Sequence, residues 1–193
     1  MTNIRPRDQI RKQESVGTPF INTEIKILDD NGAECLPGQI GELFSCSPYL
    51  FNGYWNKPKE TLEGFRDGWV SVGDLAKRDE EGYAYIVGRK KDMIISGGIN
   101  TYPREIEDIL LSHPDIADAA VVGVADEKWG QRLRAVVVWA GHQTTSPGEI
   151  IAFFQEKIAS HKIPKDIVFV PALPRNANGK VVKTDLQAMG AKG

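Results

Sequence analysis

Lys180 directly follows Gly179 in the stretch LPRNANGKVVK. A glycine before a lysine suggests a phosphate loop, in which backbone N–H groups and an ammonium cradle an anion. Such a loop needs glycine where Pro174 stands and a hydroxyl residue where Val181 stands, so that reading fails. Asn178-Gly179 fits a hairpin turn, with Lys180 exposed just after it. Asp74 in VGDL reads by itself as a turn-capping carboxylate, and Arg89-Lys90-Lys91 as a solvated charge run. Gly97-Gly98 marks a bulge or a loop, and Trp129 beside Gly130 suits packed core. Cys35 and Cys46 form no CxxC pair, and His113, His142 and His161 lack ligand spacing, so no metal site or disulfide framework is expected. The two thiols read as small packing residues.

These groups need a frame to hold them. Of the 193 residues 41% are hydrophobic and 26% charged, which places the chain among folded globular proteins. Lys and Arg number 24 against 26 Asp and Glu, a net charge of 24 − 26 = −2, which argues against a nucleic-acid binder held by bulk charge. No apolar run is long enough to span a bilayer, and the first residues lack the apolar stretch of a signal peptide, so a cytoplasmic setting is expected.

Residues 1–16 are polar, basic and without periodicity, and read as a loosely held lead-in. Alternation in TEIKIL, the DDNG turn after it and the run IGELFSCS predict a hairpin-like pair of strands. FRDGWVSVGDL and AKRDEEGYAYIVGR predict further short strands joined by turns, with no long helix before residue 100. Pro103 at a first helical position, with Ile106, Ile109, Leu110 and His113 at i, i+3, i+4 and i+7, predicts a helix ended by His113-Pro114. Strands follow over residues 117–125 and 132–140. A second amphipathic helix is expected from Ser146 through His161, with Ile150, Ile151, Phe154 and Ile158 on one face. Composition thus shifts from all-β to mixed α and β near residues 88–92, where a domain boundary is expected.

The combination says more than its parts. GYWNKPKET, WVSVGDL, YIVGRKKDMIISGGINTYPREIE, GVADEKWGQ and LPRNANGKVVK, in this order, resemble the carboxyl-terminal part of AMP-forming acyl-CoA synthetases. These belong to the adenylate-forming superfamily with luciferases and peptide-synthetase adenylation domains. The resemblance implies a reaction in two halves: a carboxylic acid and ATP give an acyl-adenylate, then CoA displaces AMP to give a thioester. It implies that Asp74 holds the ribose hydroxyls and that Arg89 reaches the nucleotide. Lys180 is then the catalytic lysine of adenylation, and Lys91 the hinge about which the terminal domain turns. Gly97, Gly98 and Trp129 would face CoA, Gly98 lining the path of the pantetheine arm. Asn176 stands where a threonine is frequent, and Lys183 where an arginine is usual.

The fold class so implied is α+β, a small β-rich subdomain followed by a mobile mixed α+β lid. Residues 17–88 would be the β-rich end of a large domain and 89–193 the lid. The family's phosphate loop, acyl pocket and Mg2+ ligand lie upstream, so the rest of the large domain is an expected partner, and no metal ligand is expected here. Two rivals stand beside this expectation: a free-standing, non-enzymatic module that binds acyl-CoA or a partner, and an adenylation domain that serves a carrier protein.

Overall fold

The computed structural model describes residues 1–141, 146–155 and 157–189, so His142 lies outside the described residues. Residues 1–91 and 92–193 form two compact units.

In the first unit β1 (Glu24–Leu28) pairs antiparallel with β2 (Gly41–Cys46), Lys26 opposite Phe44. The DDNG turn after β1 is closed by Asp29, whose Oδ1 accepts from the backbone N–H groups of Asn31 and Ala33. A seven-residue helix, α1 (Pro58–Gly64), interrupts the stretch where only strands and turns were expected. Pro58 sits in its first turn, where a missing N–H costs nothing. The short β3 (Phe65–Arg66) then turns back onto β4 (Trp69–Arg78), which pairs with β2 on one side and with β5 (Ala84–Arg89) along its length. Ile25, Ile27, Cys35, Leu43, Ala76 and Ala84 fill the core of this sheet. Cys35 is therefore a packing residue, and burial pushes its thiol up from the ordinary value.

Residues 1–16 are tied down, contrary to the loose lead-in expected. Thr2–Asn3 pairs with Thr18–Pro19, and Val16 and Gly17 exchange backbone hydrogen bonds with Ala84. Lys12 Nζ lies 2.6 Å from Asp79 Oδ2 and 2.7 Å from Glu81 Oε1, and Arg11 reaches Glu81 as well. Ion pairs and single backbone bonds leave no hydrophobic period, which is why the segment looked unstructured.

The second unit is a sheet covered on both faces. β6 (Ile94–Ser96) and β7 (Ile99–Thr101) form a tight hairpin and lead into α2 (Pro103–Leu111). The long antiparallel pair β8 (Ile116–Asp126) and β9 (Gly130–Trp139) follows, then α3 (Pro147–Phe153), β10 (Asp166–Phe169) parallel to β9, and α4 (Lys183–Ala188). Ala119, Val121, Ala135 and Val137 face α2 and α3 through Ile106, Leu110, Ile150 and Phe154. Ala120, Val122, Val124 and Val136 face the tail through Leu173 and Leu186. Because both faces are buried, β8 and β9 read as near-continuous apolar runs, not as alternations. Ile106 and Leu110 are fully buried, each side chain contributing about 1.5–3 kcal/mol of hydrophobic stabilisation.

The helix expected from Ser146 through His161 is shorter. Its start is a capping box, in which Ser146 Oγ accepts from Glu149 N and the Glu149 carboxylate accepts from Ser146 N. It ends at Phe153, and a 3-10 turn follows at Ser160–Lys162. After Phe153 the backbone bonds of Phe154, Gln155 and Lys157 reach back three residues instead of four. The change of pitch still leaves Phe154 and Ile158 against the core, so apolar spacing outran the helix.

β8 is an edge strand, and side chains occupy backbone groups along its outer side. Glu107 accepts from Val121 N at 2.9 Å, Gln187 Nε2 donates to Gly123 O at 3.0 Å, and Asp118 Oδ1 accepts from Ala119 N at 3.0 Å. Arg134, 4% exposed, fastens the tail to the other face by reaching Asp166 Oδ2 at 2.8 Å and the carbonyls of Gln187 and Met189 at the end of α4.

Burial pushes the Glu107 carboxyl above its ordinary value, offset only in part by the Lys183 ammonium 3.7 Å away and the Val121 N–H. The folded state then holds a proton that the unfolded state releases near the ordinary glutamate value of 4.5. Stability should therefore fall as pH rises from that value through the raised one. Urea unfolding between about pH 4 and pH 8 should show Glu107→Gln with a flatter profile than the parent over this window. Parallel profiles would contradict it.

Candidate functional site

Asp74 and Arg89 are cross-strand partners on β4 and β5. Arg89 Nε lies 2.8 Å from Asp74 Oδ1, and Arg89 Nη1 donates to Val72 O at 3.1 Å. The backbone beside Asp74 is irregular: Gly73 has φ 77°, its N–H donates to Ser71 Oγ, and the pairing of β4 with β5 shifts register between Leu75 and Ala76. The carboxylate expected to cap a turn thus stands at a strand irregularity, with one oxygen on an arginine.

Glu42, which sequence reasoning missed, supports the next layer. Its Oε1 accepts from Ser71 Oγ at 2.6 Å and its Oε2 from Lys90 Nζ at 2.8 Å. Burial works to raise its carboxyl, but the Lys90 and Ser71 hydrogen bonds outweigh burial and hold it below the ordinary range. Arg89 and Lys90 are thus positioned cations, not a free charge run. Together with Val72, Gly73 and Lys91 they line a cavity of about 420 Å3, within the size range of small-molecule sites. Lys91 is exposed, within the 3-10 turn Lys90–Asp92 where the first unit ends.

In the second unit Gly97 and Gly98 are the two central residues of the β6–β7 hairpin, with φ 59° and 79°. Left-handed backbone at both positions is what a two-residue hairpin of matching twist requires. Gly97 N donates to Trp129 O at 2.9 Å, and a Cβ on Gly97 would lie 2.7 Å from the Trp129 ring. Trp129 is 51% exposed, so it lies over the hairpin and not in the core. Asp126 Oδ1 fixes its backbone by accepting from Lys128 N and Trp129 N. Ile95 and Ile99, also exposed, flank the turn. Above Gly98 no atom lies within 4 Å of where a Cβ would stand, so the strip beside the ring is open.

Lys180 is exposed on a separate hairpin closed by a bridge between Arg175 and Val181, with Gly179 at φ 75°. Asn176 holds the lysine's backbone at both ends: its N–H donates to Lys180 O at 2.9 Å, and its Oδ1 accepts from Lys180 N at 3.0 Å and from Asn178 N. The side-chain amide oxygen thus accepts two backbone donors at once. Asn176 was visible in the sequence only as a departure from a motif. The signal that could have exposed its role is the asparagine placed just before a turn.

Asp74 with Arg89, and Gly97 and Gly98 with Trp129, are thus brought together within their own units, and Lys180 is presented on a rigidly bonded turn. Residues 105–180 match the family described as AMP-binding enzyme C-terminal domain, and residues 1–55 match AMP-binding enzyme. The chain belongs to the AMP-binding enzyme family. Among its relatives, an indoleacetate–CoA ligase of Aromatoleum aromaticum is 42% identical over 189 residues, which cover 98% of the chain and 37% of the relative. The o-succinylbenzoate CoA synthetase of Bacillus subtilis, in complex with its acyl-adenylate intermediate, is 38% identical and superposes with a TM-score of 0.89 over 95% of the chain and 37% of that enzyme. The same enzyme with ATP and a magnesium ion gives 0.87, at 38% identity over 95% of the chain and 38% of that enzyme. The chain therefore spans little more than a third of the length of these relatives. The mixed α+β fold is that of the family. Among the described residues no helix is long and apolar enough to cross a membrane.

Proposed function

We propose that the chain is the carboxyl-terminal part of an AMP-forming acyl-CoA synthetase that activates a fatty or aromatic carboxylic acid. The observation that carries this reading is the Asp74–Arg89 pair beside a cavity lined by Gly73, Lys90 and Lys91. Arg89 engages one carboxylate oxygen of Asp74, which leaves the other to accept from vicinal ribose hydroxyls. The neighbouring cations suit a nucleotide's phosphate. In the first half-reaction a carboxylate oxygen attacks the α-phosphorus of ATP and pyrophosphate leaves. The Lys180 ammonium lies between these two anions and offsets the charge that builds on the phosphoryl oxygens. In the second, the CoA thiol attacks the acyl carbon and AMP leaves. The open strip over Gly98 then admits the thin pantetheine arm, with Trp129 beside it. The large domain ends at the division between the two units, three residues beyond the expected boundary at 88, and the lid that follows it turns about Lys91 between the two steps. Mg2+ would be held by the upstream part of the enzyme.

CoA is favoured over a carrier-protein arm by the DMIISGG stretch and by relatives named as CoA ligases. The test joins this chain to the upstream segment of the Bacillus subtilis synthetase. The folded chimera should release pyrophosphate with o-succinylbenzoate and ATP, and should form a thioester with free CoA. The 193-residue chain alone should release none, because the phosphate loop and acyl pocket that confine the two anions are expected upstream of it. A folded, ATP-binding chimera that makes no adenylate would overturn the proposal, and acceptance only by a pantetheinylated protein would overturn the CoA assignment.

A further inference from the structure

The tip that carries Lys180 has little packing to hold it. Residues 175–180 are exposed, and nothing lies within 4 Å of where a Cβ on Gly179 would stand. The tip's geometry must come from hydrogen bonds, and those of Asn176 are internal to the hairpin. They fix its shape but not its place on the domain.

Val181 packs the base of the hairpin against the core, and Arg175 joins the tip itself to the sheet. Arg175 Nη1 donates to Gly179 O at 2.8 Å, the carbonyl that directly precedes Lys180. Its Nη2 donates to Asp118 Oδ2 at 2.5 Å. Asp118 is itself held, since its Oδ1 accepts from Ala119 N, at the point where β8 shifts register against β9 between Ile116 and Asp118. The next two residues of that strand, Ala120 and Val121, are buried. A rigid run of bonds therefore leads from the packed sheet through Asp118 and Arg175 to the peptide bond before the lysine. A guanidinium donates along two fixed directions at once, whereas an ammonium offers a flexible point.

We propose that Arg175 is the positioning residue for Lys180, acting through the Gly179 carbonyl with Asp118 as its anchor. The inference rests on the adenylation role of Lys180 given above. An exposed ion pair adds little to global stability, so the effect belongs to placement and not to folding. A lysine that must sit between two anions is sensitive to small displacements.

Two measurements test this. In the 193-residue chain, 15N relaxation at Gly179 and Lys180 should show larger amplitudes for Arg175→Met and Asp118→Asn, with the melting temperature unchanged, and Arg175→Lys should restore only part of the order. In the chimera, Arg175→Met should slow adenylate formation about tenfold, chiefly in kcat, and leave thioester formation from supplied acyl-adenylate intact. On a Lys180→Ala background it should cost nothing further. Unchanged adenylation in Arg175→Met, beside a slow Lys180→Ala, would overturn this proposal alone. Equal loss of both half-reactions, or a lowered melting temperature, would reduce Arg175 to a structural role and overturn it too. A Lys180→Ala enzyme of full activity would instead overturn the reading on which it rests.

Discussion

Lys180→Ala in the chimera should lose about a hundredfold in the rate of acyl-adenylate formation and almost nothing in the conversion of supplied acyl-adenylate and CoA to thioester. The magnitude follows from removing one donor aimed at developing charge, on the order of 3 kcal/mol of transition-state stabilisation. The selectivity follows from geometry. Lys180 stands on a hairpin of its own, apart from the β6–β7 turn that carries Gly98. The variant should also fold normally, because the side chain is exposed and the turn is held by Asn176 through backbone atoms that alanine retains. Single-turnover measurement of each half-reaction checks it. Equal loss in both would mean that the lysine serves binding in general.

Gly98→Leu should give the opposite pattern, with adenylate formed at the parent rate and the CoA step slowed by roughly a hundredfold. Two effects act at this position and must be separated. A leucine would fill the open strip beside Trp129, which is the effect sought. It would also sit at φ 79°, where a side chain costs about 1–2 kcal/mol of strain. The strain appears as a lower urea midpoint, whereas the blockage appears only when CoA is present. Gly98→Asn separates them further, since asparagine tolerates left-handed backbone and should recover stability more than it recovers the CoA step. If Gly98→Leu slowed adenylation as much as thioester formation, the assignment of this hairpin to CoA would fall.

Much of the frame was legible because burial writes a period into the chain. Ile106 and Leu110 at helical spacing announced α2, and Pro103 marked its first turn. The runs of small and branched residues in β8 and β9 announced strands because each face meets a different cover. The same logic misled at α3, where apolar spacing continued through turns that tighten the pitch without leaving the core. It was silent on residues 1–16, which ion pairs and lone backbone bonds hold in place. The site was less legible than the frame. Asp74 and Arg89 meet only through a pairing register with an irregularity in it, and no spacing along the chain encodes that. Arg175 drew no reading in the sequence and Asn176 stood out only as a departure from a motif, because their part in holding Lys180 lies in bonds to atoms of their neighbours.

The side chains along the outer side of β8 bear on solubility. An eleven-residue edge rich in alanine and valine is a template for pairing with another copy, and proteins guard such edges by covering or charging them. Here Asp118 and Glu107 place carboxylates against it, and Gln187 reaches it from the tail. The segment that presents Lys180 is continuous with that cover. A chain shortened at Pro174 would lose Gln187 from that guard while keeping Asp118 and Glu107, would bare the apolar face under Leu186, and would be more prone to aggregate before any question of catalysis arose.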